Sequence, residues 1–251
     1  DSGVQADHPD LIEQVVEQVN LATDRPLLPE LHGTAVAGII AAREGNQVGI
    51  AGVAPLARIV GLRACWQLSA SNTRCNSLSL ALALSAALER NVQVINMSLA
   101  GPHDRLIQRF IEAAQGRGIA VVAARDGAAR DGGFPASMKG VIAVSETPPP
   151  LPGHGVAAPG TDVLTTLPPS RWGIVSGSSY AAAHVSGLVA LVLEARSRQG
   201  TMPVRAPAGG IELVSGTDGR VDACATLQRA TSACVCACGD AAAMADSVAR
   251  P

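Results

Sequence analysis

The chain has 251 residues, of which 47% are apolar, 16% charged and only 2% aromatic. That is too apolar for a disordered chain and long enough for one large core, which has to be assembled from Ala, Val, Leu and Ile. A net charge of −2 with no basic block argues against nucleic acid as a partner, and the longest apolar runs, at 78–88 and 188–193, fall short of the ~20 residues that span a bilayer.

In chain order, the apolar run 59–62 follows Ala54-Pro55 and predicts a strand. Residues 78–90 carry Leu and Ala at helical spacing behind Ser77, a good N-cap residue. Residues 92–97 read as a buried strand. Residues 106–117 are amphipathic, start near Asp104 and stop at Gly118. Two further apolar strands are predicted at 120–124 and 141–144, and the longest helix at 179–196. The segment 147–152 holds four prolines and is excluded from regular structure. Residues 197–220, rich in Gly and Pro, read as loop, and 219–223 opens a last short helix. Past Thr231 the sequence has no pattern, and no internal repeat is visible. Strand–helix–strand units repeated through the middle predict an α/β fold, a parallel central sheet with helices on both faces.

Six cysteines form two groups. Cys65 and Cys75 flank the polar loop 66–74, and a disulfide closing it would contribute about 2–3 kcal/mol through loop-closure entropy. Cys224, Cys234, Cys236 and Cys238 lie near the C-terminus. Zinc on the last three lacks the usual ligand spacing, because Cys-x-Cys-x-Cys has no partner His. The cysteines fit an oxidising, exported setting, secreted or periplasmic. No signal peptide is present, which says little, because the chain opens on a candidate functional residue and reads as a mature or trimmed piece.

Three segments carry the chemistry. In Ser176-Gly177-Ser178-Ser179-Tyr180 a Gly-bearing turn delivers Ser179 at the start of a small-residue helix. A serine hydroxyl is a poor nucleophile until it is held still and given a base. Asp1-Ser2-Gly3-Val4 and His32-Gly33-Thr34-Ala35-Val36-Ala37-Gly38 supply what it lacks. Asp, His, Ser is one of the few known chain orders of the hydrolase triad. In open parallel sheets ligands bind at the carboxyl ends of the strands, where Asp1, the Ser179 helix start and the loops after Met97 and Ala124 all belong. Ser179 is then the nucleophile, His32 the base that returns the proton to the leaving amine, and Asp1 the group that orients the imidazole. Alone, each segment has a plainer reading: a turn, a solvated Asp, a helix-start His. Their order is what points to catalysis. His184, one turn beyond Ser179, reads as structural, and His8, His103 and His154 as surface or loop residues.

These segments resemble the subtilisin-like serine proteases, the subtilases. The His segment has Ala35 where the family often has His. The Ser segment has Ser178 for Thr, Tyr180 for Met and Ala183 for Pro. Gly52-Val53-Ala54-Pro55, Val94-Ile95-Asn96-Met97-Ser98-Leu99 and Ala158-Pro159-Gly160 match in order between them. The resemblance covers 1–230, a subtilisin-like peptidase domain, and leaves 231–251 as a Cys- and Ala-rich tail. It implies a serine endopeptidase acting through an acyl-enzyme on peptide or protein substrates, a monomer with no required cofactor.

The resemblance also implies binding residues. Ser98, Leu99, Ala100 and Gly101 match the edge segment that pairs with a peptide backbone as an added strand. Ala100 stands for a customary Gly and should narrow the adjoining pockets. Gly133 and Phe134, in Gly132-Gly133-Phe134-Pro135-Ala136, match the floor and wall of the pocket for the residue before the scissile bond. No charged residue marks that floor, so an apolar or small side chain is expected there. Asp10 and the loop 46–50, with Asn46, resemble a calcium loop, which would place a structural calcium near Asp10 and Asn46; the alternative is a plain turn. Asp126 falls where the family places an Asn that donates to the oxyanion. An ionised carboxylate donates nothing there, a cost of about 10²–10³ in turnover by a figure that comes from this family. A protonated Asp126 would donate, and the backbone N–H of Ser179 remains as a second donor. In the family the Asp ends a buried strand, which is missing here, so Asp1 is expected to be loosely held and the true start to lie upstream. These departures motivate an alternative, a catalytically impaired subtilase fold that binds peptides without cutting them.

Overall fold

The alternation of strand and helix is present in the computed structural model, which describes residues 1–69, 72–148, 155–198, 206 and 211–232. The elements run β1 (Val15–Asn20), α1 (Leu31–Ala41), β2 (Ile59–Arg63), β3 (Cys65–Ser69), β4 (Asn72–Cys75), α2 (Ser77–Glu89), β5 (Val94–Met97), α3 (Arg105–Gly116), β6 (Ala120–Ala124), β7 (Ile142–Ser145), β8 (Val156–Ala157), β9 (Val163–Leu167), β10 (Arg171–Val175), α4 (Ser178–Arg198) and α5 (Ala223–Thr231). Strands β5, β6, β7 and β8 lie side by side in that order, all parallel. Every residue of β6 is buried, as befits a strand covered on both faces. Its side chains alternate: Val121 and Ala123 join α2 and α3 on one face, through Leu84, Ile107 and Ile111. Ala120, Val122 and Ala124 join α4 on the other, through Val185, Val189 and Val192. This is the expected parallel sheet with helices on both faces, built from small aliphatic side chains.

Local chemistry sets the helix ends. Asp104 caps α3, accepting from the N–H groups of Leu106 and Ile107, and Gly118 ends the turn beyond it at φ +70°. The cap of α2 is Asn76, which accepts from Ser79 N–H, and the expected cap Ser77 is the first helical residue. Asp222 caps α5. Helix α4 is long and apolar enough to cross a membrane by length and composition alone, but 61% of that window is buried inside the fold. It is the core helix under the sheet.

Six of the strands were not expected. Strand β1 pairs in parallel with β2 as a sheet of its own. The stretch read as the loop 66–74 is instead a hairpin, β3 against β4, with Cys65 and Cys75 opposite each other and disulfide-bonded. A second hairpin joins β9 and β10. The short β8 completes the main sheet. His8, expected at the surface, is fully buried, with Nε2 2.9 Å from the carbonyl of Arg171. His154, Cys234, Cys236, Cys238, the prolines of 149–152 and the tail from 233 lie outside the described residues.

Candidate active site

Asp1 is firmly held, against the expectation of a loose chain start. Its carbonyl accepts from the N–H groups of Ala64 at 3.0 Å and Cys65 at 3.1 Å. Its Oδ1 accepts from Ser2 N–H at 2.6 Å. Behind it lies a buried ion pair. Glu30 accepts from the Arg63 guanidinium through both carboxylate oxygens, at 2.9 and 3.1 Å. The same carboxylate accepts from Gly3 N–H at 2.6 Å and Gln67 N–H at 2.8 Å. Burial would raise the Glu30 pKa, but Arg63 and these two backbone donors outweigh it and hold the carboxyl below its usual range. The pair is satisfied on all sides, which is what a buried salt bridge needs to persist. It pins residues 1–4 against β2 and β3.

Helix α1 brings His32 to this segment. Gly33 makes that approach possible: a Cβ there would lie 2.3 Å from the Ser2 carbonyl oxygen. Gly33 N–H instead donates to Ser2 Oγ at 3.0 Å. The result is His32 Nδ1 at 2.8 Å from Asp1 Oδ1. Burial, then the ammonium of Asp1, push the His32 pKa down to about 4. The imidazole is therefore neutral at pH 7, the form a base requires.

Ser179 sits in the first turn of α4, after Gly177, whose φ of +145° suits glycine. The ring of the next residue, Tyr180, lies 5.6 Å from the His32 ring, so the serine and the imidazole belong to one corner of the fold. The Ser179 hydroxyl donates to the Ser98 carbonyl at 3.1 Å, and Ser98 Oγ donates to the Ser179 carbonyl at 2.7 Å. No hydrogen bond joins Ser179 to His32 among the described residues. The structure thus pairs Asp1 with His32, and Ser179 with Ser98. Ser178 Oγ donates to the Glu146 carboxylate, a contact the sequence did not reveal.

A cleft of about 390 Å³ opens beside this corner, lined among others by Asp1, His32, Ser98, Leu99, Ala100 and Phe134. Gly101 N–H donates to the Phe134 carbonyl at 2.9 Å, so the segment 98–101 and the Gly133–Phe134 turn are joined across it. His103, a surface residue as expected, is edge-on to Phe134 at 5.2 Å and also lines the cleft. Under the turn Arg125 is buried, and a Cβ on Gly132 would lie 2.6 Å from its guanidinium. Arg125 follows an all-apolar strand, so its position, not its type, was the available signal. Asp126 is exposed. Its Oδ1 accepts from Ala128 N–H at 2.9 Å, and its own N–H donates to the Gly132 carbonyl at 2.9 Å.

Asp10 does not fit a calcium ligand. Its carboxylate is fully buried and accepts from Asn46 Nδ2 at 2.7 Å, Ile50 N–H at 3.0 Å and Trp172 Nε1 at 2.6 Å. These are N–H donors, where a calcium ion requires a cage of oxygens. Among the described residues no group of three or more His, Cys, Asp or Glu is placed to hold a metal.

A parallel α/β sheet that carries a carboxylate–imidazole pair beside a helix-borne serine defines the class of subtilisin-like proteins. The chain belongs to the subtilase family, whose profile matches residues 1–206. It is 33% identical to Thermitase of Thermoactinomyces vulgaris over 247 residues, covering 91% of this chain and 86% of that protein. It is 35% identical to the Thermophilic serine proteinase of Bacillus sp. (strain AK1) over 205 residues, 76% of this chain and 50% of that one. The Major intracellular serine protease of Bacillus subtilis (strain 168) is 34% identical over 214 residues, 76% of this chain and 66% of that one. The chain therefore spans between half and two thirds of the two Bacillus relatives. In fold it is similar to the prenylagaramide maturation protease PagA, with a TM-score of 0.73 at 23% identity over 92% of this chain and 91% of that one. The protease domain of PatA gives 0.75 at 23% identity over 92% and 93%.

Proposed function

We propose that this protein is a serine endopeptidase in which Asp1, His32 and Ser179 act as orienter, base and nucleophile. The observation that carries the reading is the Asp1–His32 hydrogen bond of 2.8 Å, with a neutral imidazole beside the Ser179 turn. Ser179 Oγ is one side-chain rotation from a new partner, because χ1 moves between staggered wells. Leaving the Ser98 carbonyl, it turns to His32, a tightening that substrate-free sites commonly await. Its oxygen attacks the scissile carbonyl while the proton passes to His32 Nε2. The C–N bond then breaks, and the same proton goes to the leaving amine. Water repeats the sequence, freeing Ser179 and the carboxylate product. Asp1 fixes the tautomer through Nδ1 and offsets the imidazolium charge.

The oxyanion donor in this reading is the backbone N–H of Ser179, at the start of α4. Asp126 contributes none, so the enzyme is slow. The peptide lies extended against 98–101 with a side chain toward Gly133 and Phe134. The Cys65–Cys75 disulfide supports a secreted or periplasmic setting, although a relative is named as intracellular. The Asp10–Asn46 loop holds itself by hydrogen bonds and needs no calcium.

The second reading, a peptide binder that does not cut, is favoured by Asp126 and by the Ser179 hydroxyl resting on Ser98. A serine-directed phosphonate probe decides between the two. Labelling of the wild type and none of Ser179→Ala supports the endopeptidase. No labelling of either supports the binder.

A further inference from the structure

Strand β6 ends at Ala124, but its ladder runs one residue further. Arg125 N–H donates to the Val144 carbonyl at 2.7 Å, and Asp126 N–H to the Gly132 carbonyl at 2.9 Å. Side chains alternate along β6, and Val121 and Ala123 share a face with Phe134 and Ala136. Arg125 falls two residues after Ala123, so its side chain belongs to that same face. There it meets Gly132. A Cβ on Gly132 would lie 2.6 Å from Nη1, 2.7 Å from Cζ and 3.0 Å from Nη2 of Arg125. Only glycine leaves room for the guanidinium, and glycine readily takes the φ of +93° found there. Gly133 follows at φ +69°. The turn that borders the cleft through Phe134 therefore lays two residues without side chains over a buried cation.

The acidic side chains of this turn are engaged by backbone. Asp131 Oδ1 accepts from Gly133 N–H at 3.0 Å, and Asp126 Oδ1 from Ala128 N–H at 2.9 Å. Arg125 Nη1 donates to the Asp131 carbonyl at 3.5 Å. A guanidinium carries five N–H donors in a planar fork that fits a carboxylate through two parallel bonds. An apolar side chain pressed against it would strip polar neighbours from a buried charge and return nothing. A carboxylate returns charge-assisted hydrogen bonds.

We propose that Arg125 sets the specificity of the site, selecting substrates with Asp or Glu before the scissile bond. This rests on the reading above, in which the side chain of that residue points toward Gly133 and Phe134. Its carboxylate meets the Arg125 guanidinium at the inner end of the pocket, beside Gly132. An acidic residue thus replaces the apolar or small one that the sequence alone suggests. The chain as a whole repels acidic peptides, with a net charge of −2, so the preference is local.

Peptides that differ only before the scissile bond test it, with Glu, Asp, Leu, Ala or Lys at that place. Two quantities are measured: kcat/KM on the wild type, and Kd on Ser179→Ala, which is independent of hydrolysis. The Glu and Asp peptides should be cut faster and bound more tightly than the Leu and Ala peptides by about tenfold or more, with Lys weakest. A Glu moved to the other side of the bond should confer no gain. Arg125→Met should abolish the preference, and Arg125→Lys should retain part of it. The wild-type series stands whether or not Arg125→Met folds. Equal values across that series, or a preference for Leu or Ala, would overturn the proposal and leave the endopeptidase reading intact. So would an acidic preference that persists in Arg125→Met. If no peptide is cut, the endopeptidase reading fails and the Kd series decides alone; no gain for the acidic peptides there overturns this proposal as well.

Discussion

Asp1 acts on His32 in two opposite ways. Its carboxylate holds Nδ1 at 2.8 Å, while its ammonium, after burial, helps to push the imidazole down to about 4. The same His32 titrates near 6.5 when unfolded. Between pH 6.5 and 4 the unfolded chain therefore binds a proton that the native chain does not. The His32 contribution to stability is complete above 6.5 and is lost as the pH drops toward 4. The ammonium of Asp1, down to about 6 from 8.0, acts in the same direction between pH 8 and 6. A tenfold difference in proton affinity between the native and unfolded chains corresponds to about 1.4 kcal/mol. NMR titration of His32 should give a midpoint well below 6. Acetylating the Asp1 amine should raise that midpoint, because a positive charge is removed. An unmoved midpoint would show that burial alone sets it.

Glu30→Ala leaves Arg63 charged in a buried site, with Gly3 and Gln67 N–H groups unpaired. A loss of about 3–5 kcal/mol in denaturant unfolding is expected. Because Glu30 also pins residues 1–4, the probe reactivity of Ser179 should fall in step with the displacement of Asp1. Glu30→Gln keeps acceptors for the backbone donors and should cost less.

At Asp126 the expectation runs the other way. Asp126→Asn supplies an amide donor at the oxyanion position, and peptide hydrolysis at neutral pH should rise, by up to about 10²–10³. An unchanged or lower kcat would place Asp126 away from the oxyanion.

What the sequence disclosed follows from what is local. Asp104 and Gly118 mark α3 because a cap and a stop are single-residue decisions. Strand β6 was legible because a strand buried on both faces is apolar at every position. Asp1, His32 and Ser179 stood out as candidates because each sits in a short motif of small residues. Strand β1, with Glu17 and Gln18 at its centre, is half-exposed and carries no such run. The burial of His8 depends on Arg171, 163 residues away, and that of Glu30 on Arg63, 33 away. Neither distance leaves a local signal. The rest of Ser179 on Ser98 is likewise a matter of rotamer, which no motif encodes.

The Asp10 loop gives a last, two-sided prediction. If a cation held it, a chelator would lower the thermal midpoint and added calcium would raise it. The carboxylate instead accepts from Asn46, Ile50 and Trp172, so neither treatment should move the midpoint. The loop should fail by another route. Asp10→Ala strands three donors, one of them the indole N–H, in a fully buried site. An unsatisfied buried donor costs about 1–3 kcal/mol, so the variant should lose several kcal/mol. Asp10→Asn keeps one acceptor oxygen but turns an N–H group toward donors, and should fall between the two. A midpoint that follows calcium in the wild type, and no longer in Asp10→Asn, would reverse the assignment and make the loop a cation site.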